Sequence, residues 1–161
     1  MDIGTFYALV SGTCFGLVGL WWGVVKSRQD WLKDDRSRSL AAGVYLSFLI
    51  PGLMSLFAQV GGENRVVWRL VFVVAAILGI YFTSRLMAKT GAATPQGLFG
   101  RNRWVVIVLY ALVLVIALLP GLAFYLGLQP LQLEGFMLCL LILVAHGLVW
   151  EFMSEPSKIA G

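Results

Sequence analysis

The sequence predicts an all-α, polytopic transmembrane helical bundle of about five helices, arranged as one helix plus two tandem helical hairpins. Three observations carry this. First, the 161 residues are 60% hydrophobic and only 12% charged, with a mean hydropathy of +0.87. A soluble domain carries roughly 25% charged residues, and at this length too much apolar surface would stay in water. Second, apolar runs close to the roughly 20 residues that cross a bilayer recur five times. Third, Lys and Arg fall almost entirely in the connections on one side of those runs. No second domain fits in a chain of this length.

The runs are 3–25, 40–60, 66–84, 104–126 and 136–152. The first is preceded by Asp2 rather than by basic residues and outlasts the apolar core of a signal peptide, so it reads as a retained helix. The turn Gly61-Gly62-Glu63-Asn64-Arg65 stops the second. After the third comes the polar stretch 85–103, loosened by Gly91, Pro95, Gly97 and Gly100. Gln129, Pro130 and Glu134 read as a tight turn before the fifth run, which is the shortest.

Orientation follows from the basic residues. Connection 26–39 holds five Lys and Arg, connection 85–103 holds four, and Lys158 brings the total on that side to ten of the twelve. Only Arg65 and Arg69 fall on the other side. The positive-inside rule therefore places the ten in the cytoplasm, with the N-terminus out and the C-terminus in, and the expected location is the cell (inner) membrane. Trp21, Trp22, Trp104 and Trp150 fall at the expected inner boundary and Trp68 at the outer one, the depth that amphipathic rings prefer. The same placement turns the net charge of +4 into a topology signal, and no nucleic acid partner is expected.

The second and fourth runs share a pattern. Phe48-Leu49-Ile50-Pro51-Gly52-Leu53 matches Ala117-Leu118-Leu119-Pro120-Gly121-Leu122, each after an Arg-x-Arg entry, Arg36/Arg38 and Arg101/Arg103. Tandem hairpins of one orientation would follow, as in parallel transporter repeats. Pro51 and Pro120 each remove a helical hydrogen bond, so Pro51-Gly52 and Pro120-Gly121 are hinge or pathway candidates, set against static kinks that shape the bundle.

Ala8, Gly12, Gly16, Gly19 and Gly23 are spaced four, four, three and four apart on the first helix. At about 100° per residue they fall within roughly 80° of one another and form one face. Each glycine costs about 1 kcal/mol of helix propensity. Close packing against another helix, in the same chain or in another, offsets that cost in a membrane. This face is the helix-packing candidate.

Polar groups at membrane depth are few. His146, the sole histidine, is the default functional candidate; a neutral ring bonded to a neighbouring helix is the plainer expectation. Arg69, four residues after Arg65, reads either as an anion or headgroup site or as a side chain snorkelling to the surface. Cys14 and Cys139 lie in separate apolar runs and read as small buried hydrophobes. Connection 26–39 interleaves Lys26, Arg28, Lys33, Arg36 and Arg38 with Asp30, Asp34, Asp35 and Trp31, which fits a solvated connector, a surface anchor or a docking segment.

The residues supply no paired carboxylates, nucleophile–base pair, phosphate loop or metal-ligand spacing. No catalytic residue, metal or cofactor is expected; lipid is the one ligand left open, and the bilayer, further copies and other membrane subunits are the expected partners. The leading reading is a non-catalytic, oligomerising or accessory subunit of a membrane complex. The second is a homo-oligomeric channel or small transporter with the Pro-Gly helices near its pathway. An intramembrane cofactor-binding protein or enzyme using His146 comes third.

Overall fold

A computed structural model of the chain describes residues 2–61, 64–90 and 102–154. Gly62, Glu63, segment 91–101 and tail 155–161 lie outside the described residues, as do the side chains of Arg36, Arg65 and Thr90. Arg36 and Arg101 of the paired entries, the outer-side Arg65 and the basic Lys158 are thus beyond structural comment.

Every regular element among the described residues is helical. Helix α1 covers Ile3–Ser27, α2 Asp35–Gly61, α3 Arg65–Thr90, α4 Trp104–Leu118, α5 Gly121–Tyr125 and α6 Pro130–Ser154, with a 3-10 turn at Gln29–Leu32. Four of them, α1, α2, α3 and α6, are long and apolar enough to cross a membrane. Helices α2, α3, α4 and α6 close into a four-helix ring in that order, and α1 packs outside it along α2. The expected layout of one helix beside two hairpins, α2–α3 and α4–α6, is therefore present.

Apolar content sets which segments become helices, but local caps set where they start. Helix α2 begins at Asp35, five residues ahead of the expected boundary. Asp34 caps it, accepting from the backbone N–H of Ser37 at 2.8 Å and its hydroxyl at 2.7 Å, and Asp35 pairs with Arg38 in the first turn. Asn64 caps α3 through the Val66 N–H at 3.0 Å. These acceptors satisfy N–H groups that no preceding helical turn can reach.

The fifth run needs the largest correction. Gln129, Pro130 and Glu134 are not a turn before a short helix; they open a helix of 25 residues. Pro130 takes the first helical position, where its missing N–H costs nothing. The Gln132 side chain reaches back to accept from the Gln129 N–H at 2.9 Å, one half of a capping box. Helix α3 likewise runs through Arg85 and Lys89, beyond the expected boundary at residue 84.

The core has two parts. Met54, Phe72, Ala76, Val113, Ala117 and Leu138 fill the ring, while Val18, Trp21, Val44, Phe48 and Ala145 join α1 to α2 and α6. Large apolar side chains also cover the outside, with Leu20 70% and Leu143 62% exposed. In lipid that costs nothing, which fits a chain whose apolar content exceeds what its core can use.

Two of the tryptophans expected at the boundaries are also core residues. Trp21 is buried and donates its indole N–H to the Ala41 carbonyl at 3.0 Å, and Trp68 is buried against Phe72. The Trp31 ring lies on Phe152 at 4.7 Å and near Trp21 at 6.1 Å, folding the connection back onto the bundle.

Candidate functional site

The buried face of α1 is a heptad seam. Tyr7, Ser11, Cys14, Val18, Trp21 and Val25 alternate by four and three residues, and all are buried against the rest of the bundle. Side chains at that spacing share one stripe. Ala8, Gly12, Gly16, Gly19 and Gly23 lie about 140° around the helix from it, and every one of them is exposed. A methyl group added at any of the four glycines would meet no atom within 4 Å. The small-residue face therefore has no partner among the described residues.

Larger exposed side chains border this face. Phe15 and Trp22 flank it on one side, Leu9 and Leu20 on the other. The result is a shallow, smooth trough between two apolar ridges, running along most of the helix.

The two Pro-Gly motifs behave differently. Pro51 is buried within α2, which continues unbroken to Gly61. Gly52 lets α1 approach: a Cβ there would lie 3.0 Å from that of Cys14. Pro120, in contrast, ends α4. The helix stops at Leu118, Leu119 leaves helical geometry with ψ 65°, and α5 restarts at the exposed Gly121. Helix α5 then closes on Gly127, whose φ of 68° allows Leu128 N–H to reach the Ala123 carbonyl at 3.1 Å. The fourth run is thus two helices rather than one kinked span.

Arg69 explains how the break is tolerated. Its Nε donates to the carbonyl of Ala117 at 2.8 Å and its Nη2 to that of Leu118 at 2.9 Å. These carbonyls belong to the last turn of α4, whose acceptors the proline leaves without helical donors. Two of the Arg69 donors are thus committed to backbone carbonyls of the bundle. The side chain caps a neighbouring helix.

His146 is exposed, bonds through Nδ1 to the Ile142 carbonyl of its own helix at 2.8 Å, and sets its ring edge-on to Phe48 at 5.2 Å. The expected bond to a neighbouring helix is not formed. Cys14 is buried and Cys139 exposed, both as free thiols. Among the described residues no three His, Cys, Asp or Glu side chains come together as metal ligands would.

Glu134 is the group that sequence reasoning missed. It is fully buried, and neither carboxylate oxygen has a hydrogen-bond partner among the described residues. Tyr7 lies within electrostatic reach, but its hydroxyl donates to the Leu131 carbonyl at 2.7 Å. A buried carboxylate without partners costs several kcal/mol. The signal was present: Glu134 shares the four-three-four spacing of Leu138, Leu141 and Ala145 on the buried face of α6.

The fold and these sites define a helical bundle with four helices long and apolar enough to cross a membrane, and with a small-residue face on α1 that is unpartnered among the described residues. No family model, curated protein or solved structure matches the chain.

Proposed function

We propose that the chain is a non-catalytic subunit of a membrane assembly, docked onto another chain through the small-residue trough of α1. The carrying observation is the exposure of all four glycines on a helix whose other face is already packed. A lipid-facing position rewards bulky apolar side chains, as the outside of α6 shows with Leu143. Glycines there cost helix propensity and are offset when a second helix comes close enough for backbones to touch. The bordering Phe15, Trp22, Leu9 and Leu20 would then grip that helix from both sides.

The transport reading gains less support. Of the two proline sites, one lies in a continuous helix, and at the other Arg69 already occupies the carbonyls of Ala117 and Leu118. The third reading relies on His146, which is bonded to its own helix. In the proposed setting the chain sits in the cell membrane with its basic connections in the cytoplasm, as the positive-inside count expects.

Native mass spectrometry of the protein, gently extracted from its own membrane, tests this. A complex of defined stoichiometry, with itself or with other subunits, is the expected result. A single 17.7 kDa chain under conditions that preserve known assemblies overturns it.

A further inference from the structure

A cleft of about 390 Å³ opens between α2, α3 and α4, well away from the α1 trough. It falls within the range of ordinary small-molecule sites, roughly 300–1,000 Å³. Its chemistry changes with depth. Ser39, Arg85 and Lys89 line the end nearest the basic connections, Ser47 and Thr83 come next, and Ile50, Gly79 and Tyr110 line the deep end. From Ser39 to Ile50, eleven helical rises along α2 span about 16 Å.

Among the described residues no acidic side chain lines this cleft. Arg85 and Lys89 are both exposed. The Arg85 guanidinium rests over the Tyr81 ring and donates to its hydroxyl at 3.0 Å, which holds it in place while using one of its five N–H donors. A smaller cavity of about 80 Å³ adjoins the cleft through Gly43, Ser47, Thr83 and Tyr110, and adds the buried Arg103 together with Glu151. Among the described residues that line the two, Arg85, Lys89 and Arg103 are cationic and Glu151 is acidic.

A cationic end, a band of hydroxyls and an apolar depth match one class of ligand. We infer that the cleft binds an anionic phospholipid, with its phosphate at Arg85 and Lys89 and one acyl chain running toward Ile50 and Tyr110. Basic pockets between transmembrane helices on the cytoplasmic side recognise such headgroups, and that leaflet carries the anionic lipids. A free phosphate would use only the outer third of the cleft and leave its apolar walls, Leu46, Phe82 and Val106 among them, unfilled.

The test is native mass spectrometry of the purified chain released from nanodiscs of equal phosphatidylglycerol and phosphatidylcholine. One phosphatidylglycerol should be retained per chain, favoured over phosphatidylcholine about tenfold or more, because each basic residue near the surface adds appreciably to anionic-lipid binding. The Arg85→Gln/Lys89→Gln variant should lose that preference, and Lys26→Gln/Arg28→Gln, outside the cleft, should keep it. Ala42→Trp, which fills the cleft and leaves both cations in place, should lose the retained lipid as well. Equal retention of the two lipids, or an unchanged preference in either cleft variant with intact helical circular dichroism, overturns the inference. So does displacement of the lipid by millimolar inorganic phosphate, since the apolar contacts would then contribute nothing.

Discussion

The guanidinium of Arg69 donates from Nε to the carbonyl oxygen of Ala117 at 2.8 Å, joining α3 to the end of α4. With the second bond to Leu118, it supplies donors that the helix break at Pro120 withholds, since the Leu122 N–H turns to the Leu119 carbonyl instead. The bundle therefore keeps an interrupted fourth crossing without leaving those carbonyls bare in lipid, where an unsatisfied backbone group costs several kcal/mol.

Arg69→Leu should lower stability by about 1.5–3 kcal/mol, the usual worth of hydrogen bonds to a charged group. Arg69→Lys should recover only part of it, because one ammonium cannot reproduce the planar two-point fork. Thermal unfolding in a fixed detergent measures both. Equal stability of all three proteins would mean that the α4 terminus is satisfied without Arg69.

Two glycine substitutions should have opposite consequences. Gly52→Leu puts a side chain where even a Cβ lies 3.0 Å from Cys14, and should destabilise the single chain by about 1–3 kcal/mol through overpacking. Gly16→Leu meets open space and improves helix propensity, so the single chain should be as stable as the parent or more so. Unfolding of the detergent-dispersed chains distinguishes them; a destabilised Gly16→Leu chain would show that the trough is filled from within.

The helical bundle of about five apolar runs and the pairing of those runs were legible in the sequence, because hydropathy and turn residues report both, whereas the split of the fourth run at Pro120 into two helices was not. Nor were the ends. Asp34 and Gln132 set helix starts through side-chain hydrogen bonds that composition does not register, and Arg85 and Lys89 prolong α3 beyond its apolar stretch. The small-residue face of α1 was legible as a face, but its direction was not, since small residues suit an internal contact as well as an external one. Only the competing heptad from Tyr7 to Val25 decides it. Glu134 was hidden by Pro130, which made a helix start look like a turn.

Glu134→Leu should leave the fold intact and raise stability by about 1–3 kcal/mol, because a buried carboxyl without partners gives way to an apolar side chain of similar size. Chemical or thermal unfolding measures the change. A clear loss of stability would show instead that the carboxyl holds a bound proton or cation whose contacts support the bundle.

Pro120→Ala restores the missing N–H and should lengthen α4 toward α5. The carbonyls now served by Arg69 would regain helical donors, and the effect of Arg69→Leu should shrink in that background. A double-mutant cycle reads the coupling directly. Additive effects of the two substitutions would separate Arg69 from the helix break.

In the proposed assembly the trough on α1 is a contact between chains. Its most direct test is native mass spectrometry of Gly16→Leu beside the parent, with Leu143→Ala on the lipid-facing side of α6 as a control. The account predicts that Gly16→Leu falls to the single-chain mass of 17.7 kDa while Leu143→Ala keeps the mass of the parent assembly. An unchanged assembly in Gly16→Leu would contradict it.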